Sequence, residues 1–187
     1  MIIVVDNFFS DNLFRDVHAE VKKMNFIPLA ASGPDVDLKP TEDVIDYPGS
    51  RTEPFMKHNL ILDNMIIRHI DGKSLPFTNR AYKYNQYAHV RLETDNAKDF
   101  IHIDNTDWAY LIYLSKTNLE SGTKFYTEDA TLDVDGLSQD DKVQTHVKFV
   151  QNRAVFFKSS IPHMAFNNHG KSLSDGRLTI NGFCSYI

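Results

Sequence analysis

His102 and Asp104 stand two residues apart, flanking Ile103 and preceded by Ile101, in the stretch KDFIHIDNTDWAYLIYLS that covers residues 98–115. Extended backbone alternates its side chains, so the imidazole and the carboxylate share one face and the two isoleucines share the other. The isoleucines are expected to face a packed layer. By itself a histidine two residues from an aspartate is a weak signal, because a hydrogen-bonded histidine is the commoner use. His163, in SSIPHMAF, supplies a third metal-capable side chain far along the chain. Pro162 suits the first residue of a strand, so His163 enters a sheet at its edge. Two imidazoles and one carboxylate on one side of an ion leave its other positions open, which suits non-haem Fe(II). A closed zinc site more often uses thiolates or a fourth protein ligand.

Strand alternation in RLTINGF places Arg177, Thr179, Asn181 and Phe183 on one face and Leu178, Ile180 and Cys184 on the other. A guanidinium, a hydroxyl and an amide on an inward face make a poor core but a good carboxylate site. In WAYLIYLS, Trp108, Tyr110, Ile112 and Leu114 alternate with Ala109, Leu111, Tyr113 and Ser115. Both faces are mostly apolar, so this strand is expected to be central and buried. A buried tyrosine such as Tyr113 needs a partner for its hydroxyl, and a bound acid would be one. Arg91 can face the same pocket.

The elements that must position these residues follow from periodicity. Residues 2–5 read as a strand, and Ser10 as the N-cap of a helix over about 11–24 striped by Leu13, Val17 and Val21. Pro, Gly, Asp and Thr dominate 28–56, a long loop that suits a lid or binding edge. A second helix is expected over 57–71. From 82 onward the chain reads as short strands at 82–93, 99–104, 108–115, 123–127, 144–150, 153–158, 163–167 and 177–186. That pattern predicts a mainly β sandwich or jelly roll with helices packed on one sheet.

Bulk properties narrow the function classes. A chain of 187 residues with 42% hydrophobic and 24% charged residues is most simply one globular domain. The net charge of −5 argues against a nucleic-acid backbone as the main partner. No apolar run reaches membrane-spanning length. The N-terminus lacks the basic leader and cleavage site of a signal peptide, and the lone Cys184 forms no internal disulfide, so a cytoplasmic location is expected.

Taken in order, His102-x-Asp104, then YLS at 113–115, the Gly122–Thr123 turn leading KFY, NRAVFFKSSIPH and RLTINGF resemble the Fe(II)/2-oxoglutarate-dependent dioxygenases, in particular their prolyl 4-hydroxylase-like branch. The resemblance covers about 84–187, and VVDNFFSDNLFRDVHAEV resembles that group's entry strand and helix. It implies a double-stranded β-helix, jelly-roll or cupin-like, in a single domain: a helical and loop support region over 1–75 and a core over 82–187. It also implies His102, Asp104 and His163 as iron ligands and Arg177 as partner of the distal carboxylate of 2-oxoglutarate, with Thr179 and Tyr113 in the same pocket. Related halogenases replace the ligating carboxylate with a small residue, so Asp104 favours hydroxylation. The implied reaction consumes 2-oxoglutarate and O2, releases succinate and CO2, and hydroxylates an aliphatic C–H bond of a prolyl or other protein residue or of a small molecule. Ascorbate is the supporting reductant. The loop from His163 to Arg177 is longer than in the nearest relatives.

Two other classes fit part of the pattern. A non-catalytic cupin-like module could hold a metal or small acid, although it need not keep a complete triad beside Arg177. A zinc or manganese hydrolase or isomerase of cupin type would share the fold. His58, His69, His89, His146 and His169 lack partners at a meaningful spacing and read as packed or surface residues. The acidic run 128–141 lacks Gly and Glu at the positions a calcium loop needs and reads as a solvated hairpin connection.

Overall fold

The computed structural model describes residues 1–29, 48–55, 60–72, 82–95, 99–132 and 136–187. In chain order these form β1 (Ile2–Val5), α1 (Asp11–Lys22), β2 (Ile27–Pro28), β3 (Ser50–Arg51), α2 (Leu60–Asp71), β4 (Tyr82–Arg91), β5 (Trp108–Tyr113) and β6 (Asn118–Tyr126). A 3-10 helix (Gly136–Lys142), β7 (Val143–Phe149), β8 (Ala154–Lys158), β9 (His163–Phe166) and β10 (Arg177–Tyr186) follow. Seven strands make a major sheet in the order β1-β8-β5-β10-β4-β3-β2, and three make a minor sheet in the order β7-β6-β9. All named pairings are antiparallel.

The two faces of the major sheet do different jobs, and period-two alternation assigns them. On one face Trp108, Tyr110, Ile112, Ala154, Phe156, Leu178, Ile180 and Cys184 pack with Phe8, Phe9, Val21, Ile66 and Ile70 from the N-terminal segment and helices. On the other, Ala109, Tyr113, Val155 and Phe157 meet Phe125, Val147 and Phe149 of the minor sheet. The expected mainly β architecture, with helices on one sheet, is therefore observed. β5 lies between β8 and β10, central as its two apolar faces require. Among the described residues no helix is long and apolar enough to cross a membrane.

Gly182 marks where the helix-side core is tightest. A Cβ there would sit 1.8 Å from Tyr110 Cζ, and Tyr110 is pinned by a 2.8 Å hydrogen bond from its hydroxyl to Gln86. Gly182→Ala is expected to destabilise the fold by roughly 3 kcal/mol through overpacking. Adding Tyr110→Leu to that variant should recover part of the loss in urea unfolding; equal midpoints for wild type and Gly182→Ala would refute the steric account.

Four expectations change in detail. Ser10 occupies the N-cap position with extended backbone and its carbonyl accepts from Phe14 N at 2.8 Å, but its side chain makes no capping bond. β6 begins at Asn118 rather than at 123, with a register irregularity before Gly122 that the polar Asn118, Glu120 and Ser121 disguise as a turn. The acidic run is not merely a solvated connection. Its 3-10 helix buries Gln139 against the Thr131 backbone and sets Asp140 2.7 Å from the ammonium of Lys124. Of the long loop expected over 28–56, residues 30–47 and 56 lie outside those described; β2 and β3 form a short antiparallel pair at the sheet edge beside β4.

Candidate metal centre

The first two donors arrive on a segment that touches the minor sheet only once. His102 and His163 exchange backbone hydrogen bonds of 3.0 and 2.9 Å, forming an isolated antiparallel bridge alongside β9. Asp104 N then donates to Ser159 O at 3.0 Å. Ile101 anchors the segment, fully buried against Tyr126, Ala130 and Met164. Ile103 does not share that packing and is 43% exposed, because the chain leaves the sheet after the single bridge. The expected packed layer therefore exists under Ile101 alone.

Ligand atoms of His102, Asp104 and His163 all lie within 4.8 Å of one another. Both imidazoles are oriented from behind. Nδ1 of His102 is 3.1 Å from the carbonyl of Phe100, and Nδ1 of His163 is 2.9 Å from that of Ile161. Those contacts place the proton on Nδ1 and leave each Nε2 lone pair for a ligand. Burial and the neighbouring His163 hold His102 down to about 4, and burial with the nearby Arg91 charge holds His163 to about 4, so both are neutral at pH 7. Asp104 is raised by burial, and its Oδ2 is buried without a hydrogen-bond partner. Oδ2 lies 3.5 Å from Nε2 of the neutral His163, so two lone pairs face each other with no proton between them. A cation within bonding reach of about 2.0–2.2 Å satisfies both, and the residues fit a metal ion on that ground.

Protonating two buried imidazoles costs stability in the metal-free protein. Their folded values lie below the unfolded 6.5, so their contribution is present above pH 6.5 and is lost as pH falls through about 4. Asp104 works in the opposite sense, since acid relieves its buried charge. Two histidines outweigh one carboxylate, and a net loss of a few kcal/mol is expected between pH 6.5 and 4. Urea unfolding of metal-free protein across that range measures it; flat midpoints would mean the imidazoles are solvated.

Cross-strand register builds the rest of the chamber. Arg91 pairs with Arg177, His89 with Thr179 and Tyr87 with Asn181, so these side chains share the face turned toward the minor sheet. Arg91 is ion-paired with Asp99, which also accepts from Asn168 Nδ2 at 2.9 Å, tying the approach to His102 to the 167–176 loop. Arg177 is 3% exposed and flanked by the Tyr113 and Phe149 rings at 5.8 and 5.6 Å. One of its terminal nitrogens donates to Gly122 O at 3.2 Å and to Thr123 Oγ1 at 3.3 Å, while Nε is buried without a partner. Among the described residues it makes no ion pair, and burial lowers its pKa.

The long loop leaves β10 in the expected register. Tyr113 and Arg177 are brought together as the sequence suggests, with Tyr113 2.8 Å from Thr123 Oγ1. Thr179 shares the layer, but its hydroxyl donates to Asn181 Oδ1 at 2.6 Å. The hydroxyl beside Arg177 is that of Thr123, which the sequence reading names only as part of a turn. Thr123 lies two residues from Phe125, and Phe125 pairs with His163 across β6 and β9. Two strand residues span about 7 Å, so β6 separates the donor cluster from the guanidinium by roughly the length of a five-carbon diacid.

No protein-family model and no curated protein matches the sequence. Solved structures do share its fold. An oxidoreductase of the 2OG-Fe(II) oxygenase family from Burkholderia pseudomallei superposes with a TM-score of 0.65 at 9% identity, covering 98% of this chain and 84% of that one. HygX from Streptomyces hygroscopicus, with nickel and 2-oxoglutarate bound, gives 0.64 at 12% identity, covering 98% and 82%. A Pseudomonas putida prolyl-4-hydroxylase gives 0.58 at 15% identity, covering 98% and 91%. The chain has the fold of the 2-oxoglutarate/Fe(II) oxygenases, as the sequence resemblance implied.

Proposed function

We propose that this chain is an Fe(II)- and 2-oxoglutarate-dependent oxygenase that hydroxylates an aliphatic C–H bond, either of a prolyl or other residue in a protein or peptide or of a small molecule. The observation that carries the reading is a three-donor cluster set one β6 repeat from a buried guanidinium that, among the described residues, has no acid beside it. When bound, iron with 2-oxoglutarate and O2 supplies an oxidative decarboxylation that yields succinate and CO2 and places the second oxygen atom in the C–H bond. His102, Asp104 and His163 would hold the iron, the backbone carbonyls of Phe100 and Ile161 keeping both Nε2 atoms aimed at it. Arg177 would grip the distal carboxylate, with the Thr123 and Tyr113 hydroxyls as further donors and Thr179, fixed by Asn181, as part of the pocket floor. The rings of Phe125 and Phe157, 6.1 and 4.7 Å from the His163 ring, exclude water on that side. Ascorbate would serve as supporting reductant. Burial pushes the lone Cys184 thiol up to about 12, so it stays protonated.

Anaerobic titration with Fe(II) and 2-oxoglutarate tests the proposal through the weak visible charge-transfer band of the chelate. A saturable band establishes the cosubstrate site. Its absence in folded, iron-loaded protein would leave a likeness of fold only.

A further inference from the structure

The minor sheet has three strands and the major sheet seven, so part of the inward face has no sheet opposite it. The minor sheet packs on Ala109, Tyr113, Val155 and Phe157 of β5 and β8. Along β10 the burial then falls. Arg177 and Thr179 are 3% and 0% exposed, whereas Asn181 and Phe183, on the same face of the same strand, are half-buried. Their inward neighbours Tyr87 and Leu111 are half-buried as well, where sandwich packing should cover them. This floor adjoins the metal donors. Phe183 stands opposite Ala109, Ala109 opposite Phe157, and the Phe157 ring lies 4.7 Å from that of His163. The Asp104 carboxylate is close enough to act on the Tyr87 phenol.

The four side chains of the floor are uncharged, and the amide among them is held in one orientation. Asn181 stands between Tyr87 on β4 and Leu111 on β5. Its Oδ1 lies 2.6 Å from Thr179 Oγ1, the length of an O–H···O bond rather than an N–H···O bond. The amide oxygen therefore turns to Thr179, and the two Nδ2 hydrogens turn away from it. Those hydrogens have no partner among the described residues. Beside them the rings of Tyr87 and Phe183 lie 5.8 Å apart and form one apolar surface. Arg51, 5.1 Å from the centroid of the Tyr87 ring, hydrogen-bonds the Tyr87 hydroxyl, so that cation serves to hold the ring in place. A fixed pair of neutral donors beside an apolar surface suits a carbonyl oxygen on a carbon skeleton, since ligand sites combine an apolar lining with a few polar groups that set orientation.

We propose that Asn181 donates from Nδ2 to a carbonyl oxygen of the primary substrate, in an uncharged amide or peptide group, and so lays the adjoining aliphatic carbons on Tyr87 and Phe183 beside His102, Asp104 and His163. This assignment of substrate class rests on the oxygenase reading above. It makes Asn181 a specificity residue: a substrate with no acceptor at that place leaves the two donors unpaired under an apolar skeleton and binds poorly.

Calorimetric titration of the iron- and 2-oxoglutarate-loaded protein, without oxygen, tests it with two probes of similar size. N-acetylpyrrolidine is a neutral amide; N-ethylpyrrolidine is a protonated amine that lacks the carbonyl. Wild type is expected to bind the amide about tenfold more tightly, the worth of one hydrogen bond whose donor is otherwise left unpaired. Asn181→Ala should erase that preference. Asn181→Asp, which turns the donor into an acceptor of the same size, should reverse it. The capped peptide acetyl-Gly-Pro-Gly-amide separates the two sources of the carbonyl: tighter binding than the fragment supports a peptide, and equal binding supports a small amide. Equal binding of the two pyrrolidines by wild type, no binding of any probe, or an amide preference that survives in Asn181→Ala would overturn the assignment. The chelate band recorded in the same samples shows that the variants are folded and separates the two readings. A normal band without amide preference removes the substrate class alone, whereas a missing band in wild type removes the oxygenase reading.

Discussion

Replacing Asp104 is expected to move metal binding and metal-free stability in opposite directions. Asp104→Ala should weaken iron binding by about 100-fold or more, since even partners behind metal ligands are worth 10- to 100-fold. At a fixed excess of iron, a 100-fold loss of affinity removes about 2.7 kcal/mol of metal-dependent stabilisation. Without metal the sign reverses. The Asp104 carboxylate is buried with Oδ2 unpartnered and pressed toward the lone pair of His163 Nε2, 3.5 Å away. Removing a buried, unpaired charge is neutral or stabilising. Asp104→Asn should be the most stable of the three metal-free proteins, because an amide N–H can donate across that gap to Nε2. Thermal unfolding of the three proteins, with and without Fe(II), reads both effects. A clear fall in metal-free stability for Asp104→Asn would show that the carboxylate serves the fold rather than an ion.

That opposition explains why the centre was partly legible in sequence. Donors in a place where packing would prefer apolar residues stand out against the alternation around them, as His102 and Asp104 do beside Ile101. Arg177 stands out in the same way among Leu178, Ile180 and Cys184, which pack toward the helices. β5 and the first half of β10 are central and buried on both faces, so a two-residue period assigned their side chains without knowledge of any neighbour. The rule failed where pairing stops: Ile103 follows a single bridge and turns to solvent.

Residues that join the site through register were not legible. Thr123 reaches Arg177 because β6 pairs with β9 while facing β10 across the core, and no spacing within the chain encodes that meeting. His89 faces the same layer only because β4 pairs with β10, which sets it opposite Thr179. The 3-10 helix within 128–141 was hidden for a related reason: the contacts that order it, from Gln139 to Thr131 and from Asp140 to Lys124, are made by polar side chains that read as solvated.

Arg177→Met is expected to raise the dissociation constant for 2-oxoglutarate by about 100-fold, the worth of one or two charged hydrogen bonds to a carboxylate. The argument begins with what surrounds the guanidinium. It is enclosed by Tyr113, Phe149, Thr123 and the Gly122 carbonyl, with no carboxylate among the described residues and with Nε unsatisfied. Such a group weakens the metal-free fold, so a methionine of similar length should leave stability unchanged or raise it by about 1–3 kcal/mol. Arg177→Lys keeps the charge but loses the two-pronged fork and should fall between, at about tenfold. The ligand offers an internal control. 2-Oxobutyrate carries the same metal-chelating oxo acid but lacks the distal carboxylate, so its chelate band should titrate alike in wild type and Arg177→Met. Only 2-oxoglutarate should separate the two proteins. If both acids weaken equally, Arg177 shapes the pocket without touching the cosubstrate, and the distal carboxylate must be held elsewhere.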